Sequence, residues 1–341
     1  MKKITIKDYL NRVLNGMSIG VVITLVPPAL IGELAKALDL TTIGNIVNYT
    51  SYFLGTIIGL CIALKFNLST IEVGSVAIAS GIASGSFKII DGTITLSNIG
   101  DVINASLTAL LAVIFIQLIG NRLKNYTIII LPTLVIVVVG FIGLSMLPYV
   151  SYINTFIGTI INKFTELQPI LMGILVAVSF ALLIPSPISS VGVATAIGLS
   201  GISAGVANLG ASVACVVLGV LSLKTNGWGK TIAIIFGSPK LQMTNYVNKP
   251  KIMLPVILVA AFIGAIGGLL NVQGTTQSAG FGIIGLIGPI NYLNIVNWTT
   301  KNIFITISIY LIIPIILTLI IRLLLLKNTS FISDEDYRII L

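Results

Sequence analysis

The feature that most constrains this chain is a series of uncharged apolar runs long enough to cross a lipid bilayer. One of them, residues 126–148, reads YTIIILPTLVIVVVGFIGLSMLP. About 20 predominantly apolar residues suffice for a transmembrane helix. Of the 341 residues, 56% are hydrophobic and 9% are charged, whereas a soluble domain carries roughly 25% charged residues. The sequence therefore predicts an all-α, polytopic transmembrane protein.

The apolar runs predict about ten membrane segments. Their approximate ranges are 13–35, 46–66, 69–90, 101–120, 126–148, 169–187, 189–205, 206–222, 252–271 and 303–326. A Gly-rich stretch, 277–290, is expected to enter the membrane without crossing it. The first run is too long for a cleaved signal sequence, so it is expected to remain as a helix.

The basic residues orient these segments. They account for the net charge of +9 and stand singly or in small groups between apolar runs: Lys2, Lys3, Lys7 and Arg12; Arg122 and Lys124; five lysines in 224–251; Arg322 and Lys327. Ten crossings place all four groups on one side, which the positive-inside rule assigns to the cytoplasm, with both termini. This pattern favours topology signals over a nucleic-acid-binding stripe.

The chain also shows signs of an internal repeat. A shift of 120 residues aligns Ser69 with Ser189 and Gly85 with Gly205. The sequence predicts six consecutive parts. They are a basic cytoplasmic N-terminus, 1–12; a first membrane repeat, 13–125; a second membrane repeat, 126–223; a cytoplasmic Lys/Gly loop, 224–251; C-terminal membrane segments, 252–328; and a cytoplasmic tail, 329–341. Transporters often carry such repeats, with the substrate site near the membrane midplane where interrupted segments meet.

Two Ser/Gly-rich segments matched by this shift, 74–86 and 185–205, are the predicted re-entrant breaks. Non-helical backbone at membrane depth persists only where protein buries it or where it lines a wet cavity. The alternative is close helix packing through small residues, as in Gly81–Gly85 and Gly201–Gly205. For the glycines both interpretations stay open. The hydroxyls beside Pro185 and Pro187 favour a cavity.

A solute site is predicted where these segments meet two intramembrane carboxylates. Its candidate substrate-binding residues are Glu72, Ser80 and Ser84 from the first half, and Glu166, Gln168, Ser186, Ser189 and Ser190 from the second. Carboxylate, amide and hydroxyl groups can each hold a solute hydroxyl in a defined geometry. The alternatives are that the carboxylates start helices at the headgroup level and that the polar side chains join helices.

The absence of histidine restricts the chemistry. It excludes a His phosphorelay, His metal sites and Ser-His catalysis within this chain, and Cys61 and Cys215 are expected to be small buried hydrophobes. We therefore expect no catalytic residue, no metal and no cofactor. The 224–251 loop lacks the spacing of a phosphate-binding loop. It is either a docking surface for a cytoplasmic partner or an anchor on the positive side.

Several stretches resemble a known family, the IIC membrane components of the bacterial sugar phosphotransferase system. They are NGMSIGVV, TELQPILMG, PISS with GLSGISAG, NGWGKTIAIIFGSPKLQ and the glycine stretch 277–288. The resemblance runs from about 13 to 325 and is to the stand-alone branch that includes perfringolysin O regulator-like proteins. Glucose-type members use a Glu and a His at the sugar, and this chain has no His.

The resemblance implies a permease subunit in the bacterial cell membrane rather than an enzyme. Such a subunit translocates a sugar or related small polar solute by alternating access. A separate IIB protein, which receives its phosphoryl group from IIA, phosphorylates the solute. A homodimer is also expected. The alternatives are a phosphorylation-independent secondary transporter that uses Glu72 or Glu166 as a proton carrier, and a non-transporting membrane regulator of gene expression.

Overall fold

The computed structural model describes residues 5–96, 99–326 and 332–340, and helices dominate them. In chain order these are α1 Ile6–Ala37, α2 Thr41–Tyr52, α3 Leu54–Lys65, α4 Thr70–Ala83, α5 Val102–Ile119, α6 Thr127–Leu134, α7 Gly140–Phe164, α8 Pro169–Leu183, α9 Ser190–Ala196, α10 Gly201–Ile232, α11 Met243–Asn248, α12 Leu254–Leu269, α13 Ile287–Val296, α14 Thr300–Ile307 and α15 Ile313–Ile321. The π-helical turns Val135–Val139 and Ser308–Ile312 join α6 to α7 and α14 to α15.

Fewer helices are long enough to span a membrane than the sequence predicts. Among the described residues, six helical stretches are long and apolar enough to cross a bilayer, or seven if the bent pair α2–α3 makes one span. α4 and α8 have 14 and 15 residues, whereas a crossing needs about 20. The protein is a multi-pass membrane protein of the all-α class, and the count of ten stays unconfirmed.

Two predicted segment boundaries are wrong. The runs 189–205 and 206–222 do not form two crossings, because α10 begins at Gly201 and runs through the whole of 206–222 without a break. The segment 74–86, predicted to be a break, is helical as far as Ala83. Its small residues are compatible with a helix whose neighbours lie very close.

The end of the predicted run 69–90 is a β-hairpin rather than membrane helix. Strands β1 (Phe87–Ile90) and β2 (Thr93–Leu96) pair antiparallel across Asp91 and Gly92. These two residues have φ values of 49° and 77°. A two-residue Asp-Gly turn with both φ values positive suits the twist of a hairpin. The Asp91-Gly92 dipeptide is therefore a hairpin signal, which the hydropathy-based prediction of a membrane run over 69–90 did not take into account.

The described residues divide into two compact units, the first comprising 5–28 and 35–153. In its core, Gly55 and Gly59 of α3 approach Ser84 and Ser80 of α4 so closely that a β-carbon on either glycine would overlap the serine. Gly81 of α4 lies equally close to the side chain of Thr56. These glycines therefore serve close helix packing, the alternative that the sequence left open.

The second unit comprises the described residues of 29–34 and 154–340 and is built around α10. In this helix 89% of the apolar window is buried inside the protein, whereas in the last span, Thr300–Leu324, the share is 28%. α8 and α12 pack against α10 and against each other, with α10 contributing Leu209, Val213 and Val217 to the core. α10 is thus the central scaffold of the unit, and the last span is peripheral.

The 224–251 region is folded rather than a loop. It continues α10, turns through the π-helical Ala233–Gly237 and the 3-10 turn Pro239–Gln242, and then forms α11. α10 changes direction at Gly227, whose φ is 72°. The proposed repeat stays unconfirmed: Ser69 and Ser189 both precede a helix as its N-cap, but the helices that follow have 14 and 7 residues.

Candidate functional site

The backbone break after α8 holds three of the predicted site residues. α8 ends at Leu183 and α9 begins at Ser190. In between, Ser186 Oγ donates to the carbonyl oxygen of Leu183 at 2.6 Å and accepts from the N–H of Ile188 at 3.1 Å. Ser189 is the N-cap of α9, and its Oγ accepts from the N–H of Gly192 at 3.0 Å.

The break is attached to the Gly-rich segment that the sequence predicts to enter the membrane. Ser190 is 5% exposed, and its Oγ donates to the carbonyl oxygen of Gly280 at 2.8 Å. Gly280 and Gly282 have φ values of 84° and 64°. A β-carbon on Gly280 would overlap the backbone of Ser190, and one on Gly282 would overlap Ser212. Glycine is therefore required here by both the backbone conformation and the close approach.

An amide and hydroxyl network continues from this contact into α10. Asn208 Nδ2 donates to Ser278 Oγ at 3.1 Å, and Asn208 Oδ1 accepts from the N–H of Gly282 at 3.3 Å. Ser278 Oγ lies 2.9 Å from Asn291 Oδ1, and Asn291 Nδ2 donates to Thr275 Oγ1 at 3.1 Å. Asn208 and Ser278 are 1% and 2% exposed. These buried polar groups join the segment 275–282 and α13 to the central helix α10.

Glu166 and Gln168 lie at the opposite end of α8 from Ser186. Both side chains are exposed, in the turn before the helix. Gln168 lines a cleft of about 250 Å³ with Pro169, Ile170, Gly268, Leu269 and Asn271. The 15 residues of α8 span about 22 Å at 1.5 Å per residue, so one monosaccharide cannot contact both ends.

The predicted residues from the first half lie in the first unit and have local partners. The Glu72 carboxylate accepts from the N–H and the Oγ of Ser69 at 2.7 and 2.8 Å, which forms a capping box for α4. Ser80 Oγ lies 2.8 Å from the carbonyl oxygens of Gly55 and Ala105. Ser84 Oγ donates to the carbonyl of Gly81 at 2.7 Å. Their roles as solute ligands stay predictions.

The C-terminal segment 332–340 is anchored to lysines of the 224–251 region. Asp336 lies 2.7 Å from Lys249 Nζ and 3.0 Å from Lys251 Nζ. Burial by itself would raise the pKa of Asp336, but hydrogen bonds from Lys249, from a backbone N–H and from Lys251 outweigh it and hold this pKa well below 3.8. The carboxylate is therefore ionised at neutral pH.

The same segment is bound through its backbone and one aromatic ring. The carbonyl oxygen of Tyr337 accepts from Asn226 Nδ2 at 2.7 Å and from Gln242 Nε2 at 2.8 Å. The Tyr337 side chain is fully buried in the core of the second unit. Asp334 adds an ion pair with Lys224 at 2.7 Å. The tail is thus part of the folded unit.

Sequence reasoning did not single out Lys240, which it counted only among the loop lysines. Lys240 is 7% exposed, and its Nζ donates to the carbonyl oxygens of Ser186 and Ile188 in the break. Burial lowers its pKa to about 7. The local sequence GSPK predicts a turn at Lys240, but it does not predict which groups the lysine side chain contacts. Thr275, Ser278 and Asn291 also went unnoticed.

Comparison with known proteins places the chain in a family. The family model described as "Phosphotransferase system, EIIC" matches residues 11–339, from α1 to the docked tail. No curated protein and no solved structure matches the chain. The match includes the break, the Gly-rich segment and the lysine-bearing region described above. The chain belongs to the EIIC family of the phosphotransferase system.

Proposed function

We propose that this protein is the permease subunit of a phosphotransferase system and that its solute is a sugar or another small hydroxyl-rich molecule. Family membership supports the permease-type role. The observation that carries the proposal is the attachment of the α8–α9 break to the Gly-rich segment through Ser190 and Gly280. The proposed solute site lies along this attachment.

The depth of the polar network supports a site inside the membrane. Asn208 is seven residues from the start of α10 at Gly201, which corresponds to about 10 Å along the helix axis. Irregular backbone at such depth is stable where it is buried in protein or lines a water-filled cavity. Substrate sites of many transporters are built from discontinuous helices in this way. The break and the Gly-rich segment have that form.

The side chains along this attachment suit a neutral polyol. Ser189, Ser190, Asn208 and Ser278 supply hydroxyls and an amide, each of which can donate to or accept from a solute hydroxyl. The cleft beside Gln168 has about 250 Å³, less than the roughly 300–1,000 Å³ typical of drug-sized ligands. In this proposal Gln168 and Glu166 contact the solute at entry, and Ser186, Ser189 and Ser190 contact it at the central site.

Phosphorylation would require a separate protein. The chain has no histidine, so the phosphoryl group would come from a IIB partner. The lysines around the docked tail, including Lys224, which is 68% exposed, form the proposed docking surface for it. Complementary charge of this kind accelerates encounter with an acidic partner. The homodimer and the orientation with both termini in the cytoplasm stay predictions.

The test is solute binding followed by uptake. Detergent-purified protein is screened against sugars, sugar acids and small metabolites by its melting temperature, and each stabilising solute is then tested for uptake in cells. We expect at least one sugar-like solute to stabilise the protein and its uptake to require the general phosphotransferase enzymes. Uptake that persists without those enzymes, or a panel without any stabilising solute, would contradict the proposal.

A further inference from the structure

A single short turn connects the tail to the break in the second unit. The 3-10 turn Pro239–Gln242 begins after Ser238, whose Oγ accepts from the N–H of Lys240 at 3.3 Å. Pro239, Lys240 and Gln242 are all buried. Since proline restricts φ and the serine caps the first free N–H, the sequence SPKLQ fixes this turn locally. The turn directs Lys240 and Gln242 to different partners.

Lys240 reaches the break across more than fifty positions of sequence. Its Nζ donates to the carbonyl oxygen of Ile188 at 2.9 Å and to that of Ser186. Backbone carbonyls in a helix break lack the partners that a continuing helix would supply. Ser186 is 6% exposed, so water does not readily replace a lost donor there. An amine keeps at least two N–H donors whether charged or neutral, and these match the two carbonyls.

Gln242 anchors the other side of the turn. Its Nε2 donates to the carbonyl of Tyr337 at 2.8 Å, and its Oε1 accepts from Asn245 Nδ2 at 2.7 Å. Tyr337 is itself held by its fully buried ring. The position of Lys240 is therefore set by the docked tail as well as by its own turn.

The two carbonyls that Lys240 holds come directly before the hydroxyls of the proposed site. Ile188 is followed by Ser189, the N-cap of α9, and by Ser190, which bonds to Gly280. A change in the backbone at 186–188 would alter where α9 starts. It would therefore shift both hydroxyls together.

We propose that Lys240 is a positioning residue: by holding the carbonyl oxygens of Ser186 and Ile188 it fixes the α8–α9 break and so sets the positions of Ser189 and Ser190. The assignment of those two hydroxyls to a solute rests on the proposed function. The fixation of the break does not, so it is tested without any solute.

The experiment is amide hydrogen exchange of the full chain in lipid nanodiscs, read at residues 184–192 and at α12. We expect Lys240→Met to accelerate exchange in 184–192 at least tenfold while α12 stays within twofold of the wild type. Lys240→Arg, which keeps the donors, should restore exchange to within threefold. Lys230→Met is the matched control, because Lys230 Nζ donates to a tail carbonyl, that of Ile339, at 3.1 Å. It should leave 184–192 unchanged.

Three results would overturn the proposal. The first is an exchange rate in 184–192 of Lys240→Met that stays within twofold of the wild type. The second is an equal acceleration of exchange in 184–192 and in α12 of the same variant. The third is an Arg variant as perturbed as the Met variant, since volume rather than hydrogen bonding would then matter. If the Met variant does not fold, Lys240→Leu, which also lacks donors, is scored by the same thresholds. A solute panel without a hit would contradict the proposed function and leave these exchange results to decide the role of Lys240.

Discussion

Gly173 of α8 and Gly264 of α12 bring two helix backbones into direct contact. A β-carbon on either glycine would overlap the carbonyl oxygen of the other. Next to them, Gly268 makes the same kind of approach to the carbonyl of Pro169, and Gly210 of α10 to that of Ala177. Small residues are what allow helices to approach this closely inside a membrane protein. The three helices of the second unit therefore meet at their backbones.

Gly264→Ala is expected to destabilise the protein because neither backbone can move away without disturbing α10. Overpacking of a filled core costs about 1–3 kcal/mol. Gly74→Ala is the matched control, since Gly74 is also helical and a β-carbon there would meet nothing within 4 Å. We expect a lower melting temperature for Gly264→Ala and an unchanged or slightly higher one for Gly74→Ala. Equal melting temperatures for the two variants would contradict the packing described.

The ion pairs of Asp336 predict a dependence of stability on pH. Because the folded state holds the pKa of this carboxyl below 3.8, its contribution is complete at neutral pH and is lost as the pH falls below about 4. Asp336→Asn should lower the melting temperature at pH 7 and should reduce its fall on acidification.

Glu335→Gln is the control for this prediction, because the Glu335 side chain is 61% exposed and pairs only with its near neighbour Arg338 within the described tail. Exposed pairs contribute little. We expect its pH profile to follow that of the wild type. An Asp336→Asn profile that also coincides with the wild type would mean that the tail acids do not stabilise the fold.

Glu72 allows its two predicted roles to be separated. The capping box accepts Gln in place of Glu, so Glu72→Gln should keep the melting temperature, whereas Glu72→Ala should lower the free energy of unfolding by about 1 kcal/mol. If the carboxylate serves only the cap, the Gln variant also keeps solute affinity. Loss of solute affinity or of proton-coupled uptake in Glu72→Gln, at an unchanged melting temperature, would support the predicted solute or proton role.

Ser190 tests the proposed solute site. Ser190→Ala removes the hydrogen bond to Gly280 and one candidate solute ligand, and we expect solute affinity to fall about tenfold, or 1.4 kcal/mol. Ser203→Ala is the control, because Ser203 Oγ donates to a carbonyl three residues away in the chain, that of Ser200, at 2.8 Å. Titration by melting temperature measures both. Affinity of Ser190→Ala within twofold of the control would remove this hydroxyl from the site.

Hydropathy was sufficient to predict the class of fold, and two prolines were sufficient to predict where α8 breaks. Pro185 and Pro187 lack an N–H and restrict the residues before them, so the end of α8 at Leu183 follows from local sequence. The segment 74–86 is also rich in Ser and Gly but has no proline, and it remains helical to Ala83. Small residues alone therefore could not distinguish a packed helix from a break.

The partners of the site could not be predicted because they depend on tertiary contacts. Nothing local to Lys240 indicates that its amine will reach Ile188, and nothing local to Asn208 indicates Ser278. Length was the other difficulty. Apolar composition does not reveal that α8 has only 15 residues while α10 has 32. This is why the sequence predicts ten crossings, whereas six or seven stretches qualify in the part of the chain that the structure describes.

The accessibility of residue 189 to a water-soluble reagent tests the solute site most directly. Ser189→Cys is made in a chain whose two natural cysteines, Cys61 and Cys215, are replaced by alanine, and its reaction with a charged maleimide is timed with and without the stabilising solute. Val213→Cys, at a fully buried core position, is the unreactive reference. We predict that Cys at 189 reacts and that the solute slows the reaction at least fivefold. A residue 189 that reacts no faster than residue 213, with or without solute, would contradict the account.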